Sequence, residues 1–139
     1  MTTSRSKQSI RIAAAIVVDP VGKVLLVRKR GTQAFMQPGG KIGVGETADE
    51  ALAREIEEEL GCTLDGDPRR LGVFSAPAAN EPDTNVEAEL FAVALAGDII
   101  VAAEIEEAIW HDPAGDSGRP LAPLTRNHVL PLVQSGIFG

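Results

Sequence analysis

The feature that most constrains this 139-residue chain is a glycine-rich segment that runs directly into a helix dense in glutamate. Thr47 stands three residues before Glu50, which is the pattern of a capping box at a helix start. Gly61 stands where a left-handed residue commonly ends a helix. The sequence therefore predicts a helix over Ala48–Leu60, and the glycine-rich residues 31–45 before it predict a structured loop that is not a regular element.

The predicted helix has an apolar stripe with carboxylates on its flank. At about 100° per residue, four apolar residues align on the face that should pack on a sheet: Ala48, Leu52, Ile56 and Leu60. Glu55, Glu58 and Glu59 fall together beside this stripe, whereas Glu57 points away. Crowded like charges raise one another's pKa unless a cation neutralises them, and carboxylates suit Mg²⁺, or Mn²⁺ in its place. This helix thus predicts either a solvated charged face or a divalent-metal site for phosphate chemistry.

The wider spacing resembles the Nudix box and decides between these two interpretations. The box is a glycine, five residues, a glutamate, seven residues and an Arg-Glu pair, followed by two further glutamates and a glycine. Its fixed residues here are Gly40, Glu46, Arg54, Glu55, Glu58, Glu59 and Gly61. Only Cys62 departs from the pattern, at the closing aliphatic position, where a small thiol can still pack. The resemblance predicts a Nudix hydrolase.

The resemblance implies a metal centre on the predicted helix. In this family the glutamates that match Glu55, Glu58 and Glu59 bind the catalytic divalent metal, often with the backbone carbonyl at the position of Gly39. Glu58 and Glu59 are thereby expected to be catalytic. The implied reaction is attack of a metal-activated water on a phosphorus of a diphosphate linkage.

The resemblance also implies supporting and substrate-binding residues. Glu46 matches the first box glutamate, which supports the loop or an additional metal, and Arg54 matches the arginine that orients a glutamate, with helical spacing to Glu58. Lys41 follows the double glycine and is expected either to anchor substrate charge or to form a structural pair. Arg28, at the end of a strand, is expected to hold phosphate, with a solvated strand end as the alternative.

The general base is a separate question, because some family members take it from the box and others from a loop. MutT-like enzymes place a further glutamate on the loop before the last strand. Glu104, six residues ahead of Trp110, resembles that glutamate. A small alignment shift would bring Glu106 or Glu107 to the position instead, and a plain surface charge is the other interpretation of Glu104.

Three functions are compatible with the residues outside the box. The compact length and Asn127, which lies roughly where MutT-like enzymes have a base-reading asparagine, favour a nucleoside triphosphate pyrophosphohydrolase, although Asn127 could equally cap a helix. Pro77 resembles the downstream proline of ADP-ribose pyrophosphatases, so ADP-ribose or nucleotide-sugar hydrolysis is the alternative. A non-catalytic Nudix ligand sensor is disfavoured because no metal glutamate is replaced. The absence of tyrosine argues against dinucleoside polyphosphate hydrolysis.

The rest of the chain predicts an α/β or α+β fold, a Nudix-type α/β/α sandwich around a mixed sheet in a single domain over 1–139. The residues 1–9 are expected to be a flexible terminus, and Phe91, Trp110 and Cys62 to be buried. Strands are predicted over residues 10–18, 24–30, 69–75, 85–95 and 108–111, the first two as a hairpin. Thr125 is expected to cap a terminal helix to about Gln134 that Pro131 bends.

Composition bounds partners and location. The net charge of −7 argues against binding a nucleic acid polymer through a basic face, so we expect a small nucleotide diphosphate as the partner. One cysteine and no long apolar run predict a cytoplasmic protein without a membrane span. His111 and His128 have no spacing typical of zinc ligands. Monomer and homodimer both remain open.

Overall fold

The computed structural model describes residues 8–115 and 117–136. Residues 1–7 of the terminus expected to be flexible lie outside this range, whereas Gln8 and Ser9 already belong to the first strand. The strands are β1 Gln8–Ile16, β2 Val24–Lys29, β3 Gly39–Lys41, β4 Thr63–Leu64, β5 Arg69–Pro77, β6 Thr84–Ala92, β7 Leu95–Ala96 and β8 Ile105–His111. The helices are α1 Ala48–Leu60, a π-helical turn Thr125–Val129 and α2 Leu130–Gln134.

The principal sheet has four strands in the order β3-β1-β6-β5. β1 runs parallel to β6, and the other two pairs are antiparallel. Two antiparallel pairs, β2 with β8 and β4 with β7, form two further two-stranded sheets among the described residues. The predicted mixed sheet is thus confirmed.

Two hydrophobic cores lie on opposite sides of the strands, because successive side chains of a strand alternate between faces. Ala13 and Ala15 of β1 pack in the core beneath α1, whereas Ala14 and Ile16 pack in a second core that includes Val129 and Leu130. β2 alternates in the same way, with Leu25 and Val27 facing α1 and Val24 and Leu26 facing the C-terminal helices. This arrangement confirms the predicted α/β/α sandwich.

The predicted first hairpin is reduced to its turn. The Asp19 carboxylate accepts hydrogen bonds from the backbone N–H groups of Val21 and Lys23, and a single bridge joins Val18 to Val24. Beyond that bridge β1 pairs with β3 and β6, whereas β2 pairs with β8. The predicted hairpin is therefore confirmed only next to its turn, where the N–H of Leu25 donates to the carbonyl of Val17 and that of Asp19 to the carbonyl of Lys23.

The glycine-rich loop also contains more regular structure than expected. Gly39–Lys41 forms β3 at the edge of the principal sheet, and Gly39 pairs with Ala14 of β1. Gly39 has a φ of 147°, and a Cβ at this position would collide with the backbone of Ala13. Glycine is therefore required for this close approach.

The C-terminal helix differs from its prediction. Thr125 does not cap it; the residue is fully buried, and its hydroxyl donates to Oε1 of Gln37 at 2.6 Å. The chain first makes the π-helical turn, and Pro131, which has no N–H to donate, falls at the start of α2. Trp110 is 41% exposed, so the expectation that it belongs to the core was wrong, whereas Phe91 and Cys62 are buried as predicted. Within the described residues, no helix is long and apolar enough to cross a membrane.

Candidate active site

The start of α1 is held against the glycine loop by a clamp between Glu46 and Arg54. Thr47 and Glu50 form the predicted capping box, which fixes the first turn of the helix. Arg54 then reaches back with two guanidinium nitrogens, donating from Nε to Glu46 at 2.7 Å and from a terminal nitrogen at 2.9 Å. Glu46 also accepts from the backbone N–H of Gly43 at 2.7 Å. These hydrogen bonds from Arg54 and Gly43 lower the pKa of Glu46 to about 2.

Arg54 also connects the clamp to the predicted metal-binding glutamates. Its guanidinium donates to Glu55 at 2.9 Å and lies 3.5 Å from Glu58 one helical turn later. A further hydrogen bond goes to the backbone oxygen of Lys41 at 3.2 Å. The Arg54 guanidinium is therefore bonded to both the loop and the helix. Its hydrogen bonds to Glu46 and Glu55 raise the pKa of Arg54 above its ordinary value.

Gly39 and Gly40 bring the loop backbone into contact with the helix carboxylates. The N–H of Gly39 donates to Oε1 of Glu59 at 3.0 Å. At Gly40, a Cβ would lie 2.5 to 2.7 Å from the carboxylate atoms of Glu55, so any larger residue would displace that side chain. The double glycine of the box thus provides the space in which Glu55 and Glu59 lie.

Burial sets the ionisation of these two carboxylates. Glu59 is only 5% exposed, and its pKa is raised to about 8 because burial disfavours the charged form; the Gly39 hydrogen bond opposes this, and the charge of Glu55 adds to it. The pKa of Glu55 is also raised by burial, and Arg54 opposes the rise. The sequence predicted the direction from mutual repulsion, but desolvation is the larger cause.

Lys29 and Glu104 both lie close enough to act on these carboxylates. Lys29 lowers the pKa of Glu55 and Glu59 through its charge, and Glu104 raises that of Glu59. Counted by alternation from Leu25 and Val27, Lys29 falls on the α1 side of β2, although the pairing with β8 shifts its register between Arg28 and Lys29. That alternation is the signal in the sequence that could have singled out Lys29.

The neighbouring charged residues are engaged with one another. Arg28 donates to Glu107 at 3.0 Å and to the backbone oxygen of Thr32 at 2.8 Å. Arg30 pairs with Glu106 at 3.3 Å. Glu106 and Glu107, the two alternatives to Glu104 as general base, are thus paired with arginines on β2 or just after it.

A cavity of about 140 Å³ begins at the glycine pair and runs along the face of the sheet opposite α1. Lys29, Lys41, Gly39 and Gly40 line the end next to the carboxylates. The remaining walls are mainly apolar and come from β1, β6, the segment 77–81 and the C-terminal segment 122–125. A polar, cationic end and an apolar end therefore adjoin in one space.

A sequence profile of the NUDIX domain matches residues 9–123 of this chain. The chain belongs to the NUDIX family. The crystal structure of a MutT NUDIX hydrolase from Burkholderia pseudomallei superposes with a TM-score of 0.72 at 24% identity, covering 94% of this chain and 98% of that chain. The predicted family and the NUDIX fold are confirmed.

Two curated NUDIX relatives carry different activities. An 8-oxo-dGTP diphosphatase of Haemophilus influenzae is 42% identical over 59 residues, which cover 40% of this chain and 43% of that protein. An ADP-ribose pyrophosphatase of Methanocaldococcus jannaschii is 30% identical over 114 residues, which cover 76% of this chain and 66% of that protein. Each match spans less than two thirds of the relative's own length.

The NUDIX site gathers most of the residues singled out from the sequence. Glu46, Arg54, Glu55 and Glu59 meet around the glycine pair, with Glu58 exposed on the same flank. Two of the predicted substrate-binding residues lie elsewhere. Arg28 and Asn127 do not line the described cavity, and Asn127 is exposed on the π-helical turn. Their roles, like the carbonyl of Gly39 as a metal ligand, stay predictions.

The box carboxylates are not drawn together as a closed metal cage. Over residues 8–115 and 117–136, no three His, Cys, Asp or Glu side chains form such a group. Arg54 lies between Glu46, Glu55 and Glu58 and supplies the positive charge there. The donor set nevertheless fits a hard divalent cation, since Glu55 and Glu59 are carboxylates with raised pKa values whose charged forms a cation would stabilise.

Proposed function

We propose that this NUDIX protein is a divalent-metal-dependent, MutT-like pyrophosphohydrolase that cleaves the diphosphate linkage of a nucleoside triphosphate. The observation that carries the proposal is the juxtaposition at Gly39 and Gly40 of a buried carboxylate, Glu59, and a cavity with a cationic end and an apolar end. Phosphates suit the cationic end and a base suits the apolar end. The similarity to an 8-oxo-dGTP diphosphatase supports the same substrate class.

The metal proposed is Mg²⁺, with Mn²⁺ as the alternative. Glu55, Glu58 and Glu59 would hold it, together with the carbonyl of Gly39. When bound, such a cation lowers the pKa of water and stabilises charge on a leaving phosphate. Glu46 and Arg54 act through the loop and helix that carry these carboxylates, by the bidentate hydrogen bond between them.

The remaining charged residues handle phosphate and proton. Lys29 and Lys41 line the cationic end and offset the charge of the diphosphate. Glu104 is the proposed general base, whose carboxylate takes a proton from the water that attacks phosphorus. Its effect on the ionisation of Glu59 and the pairing of Glu106 and Glu107 with arginines favour Glu104 over those two residues.

ADP-ribose or nucleotide-sugar hydrolysis is the second candidate. It is supported by the similarity to an ADP-ribose pyrophosphatase and by Pro77, which lines the cavity. A ligand sensor without activity is the third. The cytoplasmic location and the monomeric or dimeric state stay predictions.

The deciding experiment, run with Mg²⁺, measures pyrophosphate release from nucleoside triphosphates and 8-oxo-dGTP, and formation of AMP and ribose 5-phosphate from ADP-ribose. We expect release from the triphosphates and a loss of about 100-fold or more in Glu58→Gln, because a metal-holding carboxylate is removed. Glu57→Gln, which alters the glutamate on the opposite side of the helix, is the matched control and should retain activity.

Each other outcome of that experiment has a distinct meaning. Preference for ADP-ribose would replace the triphosphate proposal by the second candidate. Equal activity of Glu58→Gln and wild type would exclude Glu58 from the metal centre. Ligand-induced thermal stabilisation without any turnover would favour the sensor.

A further inference from the structure

The apolar end of the cavity contains a pair of polar residues, Gln37 and Thr125, that the box does not explain. Both residues line the cavity, and both are buried, with Gln37 only 5% exposed. Gln37 directly precedes the Pro-Gly-Gly segment that carries β3, so its position is fixed relative to the catalytic loop. Thr125 begins the π-helical turn on the opposite wall.

The oxygen of the Gln37 side-chain amide has a hydrogen-bond partner, and the nitrogen has none among the described residues. Its Oε1 accepts a hydrogen bond from the Thr125 hydroxyl at 2.6 Å. Its Nε2 has no hydrogen-bond partner among the residues that the structure describes. A buried donor without a partner destabilises the folded state, so such a group is typical of a position where something else supplies the acceptor.

The cavity around this amide has the size and lining of a ring site. The whole cavity, its cationic end included, has a volume of about 140 Å³, close to the about 150 Å³ of an engineered apolar cavity that holds a benzene ring. Ile12, Val86 and Leu124 form part of its apolar wall. Apolar walls with a few placed polar groups are the usual design of a small-molecule pocket.

We propose that Gln37 is a specificity-determining residue whose Nε2 donates to a ring carbonyl of the substrate's base, with Thr125 as its positioning residue. This inference rests on the proposed function, because it takes the phosphates to lie at the Lys29 and Lys41 end of the same cavity. Nε2 itself is closed to solvent, so the proposal requires the Gln37 side chain or the cavity wall to move when the ring enters. Purine nucleotides with and without a carbonyl at position 6 provide the test of this hydrogen bond.

The test compares ligands that differ only around that carbonyl. Inosine monophosphate, which carries the carbonyl, and purine riboside monophosphate, which lacks it, are titrated by calorimetry into wild type and Gln37→Leu. Wild type is expected to bind the inosine ligand about tenfold more tightly, the range of one hydrogen bond in a buried site. In Gln37→Leu, the ratio of the dissociation constants of the two ligands should fall to about one.

Two further variants separate recognition from folding. Gln37→Leu with Thr125→Val removes both members of the pair with little change in shape, so its thermal stability should stay near that of wild type while the ratio is lost. Gln134→Leu makes the same substitution at an exposed glutamine that donates to Pro113, outside the cavity. Its ratio should equal that of wild type.

The outcomes distinguish this inference from the proposed function. An unchanged ratio in Gln37→Leu, no preference for the carbonyl in wild type, or no saturable binding of either ligand would overturn the inference. Loss of the ratio in Asn127→Ala but not in Gln37→Leu would transfer base reading to Asn127. Ring discrimination that persists in a protein without diphosphate hydrolysis would refute the proposed function alone.

Discussion

The two ends of the site are built in different ways. The carboxylate end is local in sequence: Gly39, Glu46, Arg54 and Glu59 fall within 21 consecutive residues, and dense hydrogen bonds join them. The apolar end of the cavity, called the ring end below, combines β1, β6, the segment 77–81 and the π-helical turn, and its walls are mainly apolar. The first depends on spacing along one loop and one helix, and the second on the assembled fold.

This difference separates chemistry from selectivity. Substitutions at the carboxylate end should alter turnover equally for all bases, whereas substitutions at the ring end should alter the ranking of bases. A residue that changed both would show that the two ends are coupled through β3, which borders both.

The largest effect is expected for the general base. Glu104→Gln cannot accept a proton, so kcat should fall by about 100-fold or more, and the acidic limb of the pH-rate profile should change. Glu106→Gln and Glu107→Gln are the matched controls, since these carboxylates pair with Arg30 and Arg28. Steady-state kinetics on one triphosphate would measure all three.

A larger loss in Glu106→Gln or Glu107→Gln would transfer the role of base to that residue. The ratio of kcat/KM between two nucleotides that differ in their nucleobase should stay constant in Glu104→Gln. A changed ratio would contradict the separation of the two ends.

The same difference explains how much the sequence predicted. The helix Ala48–Leu60, its capping box and the convergence of Glu55 and Glu59 follow from local rules of spacing and capping. The strand order does not, since strands apolar on both faces identify no unique partner. Thr125 illustrates the limit: its local pattern suits a cap, but tertiary packing buries it against Gln37, 88 residues away in sequence.

The face of a strand on which a side chain lies can be predicted from the sequence only if the alternation of side chains is followed to the last residue of the strand. The sequence offers Arg28 either as a phosphate-binding residue or as part of a solvated strand end; in the structure it pairs with Glu107, and Lys29 lines the cavity. The sequence lacks any sign that Glu107 lies opposite Arg28, because that register depends on the pairing of β2 with β8.

An intermediate effect is expected for the clamp at the carboxylate end. Arg54→Lys keeps the charge but loses the two-pronged hydrogen bond to Glu46, so kcat/KM should fall by about tenfold, as for groups that orient metal ligands. Glu46→Gln should have a similar effect, and the double variant should be less than additive because both changes break one clamp. Additive losses would show that the two residues act independently.

The last prediction concerns stability and leaves turnover aside: a pH dependence of stability at the carboxylate end, measured without metal. Glu59 has a pKa of about 8 in the folded protein against an ordinary value of 4.5. Between these values the unfolded chain has released the proton and the folded chain retains it, so the free energy of unfolding falls as the pH rises. The slope is at most about 1.4 kcal/mol per pH unit, and it vanishes above the folded pKa.

Urea unfolding in EDTA from about pH 5 to about pH 8 would measure this slope, with Glu59→Gln as the comparison. The variant cannot titrate at this position, so the part of the slope due to Glu59 should disappear, leaving a contribution of the same sign from Glu55, whose pKa is also raised. Gln37→Leu should retain the wild-type slope, because this substitution removes no titratable group. Equal slopes in wild type and Glu59→Gln would show that Glu59 is ionised in the metal-free protein, and the burial argument for the metal centre would then fail.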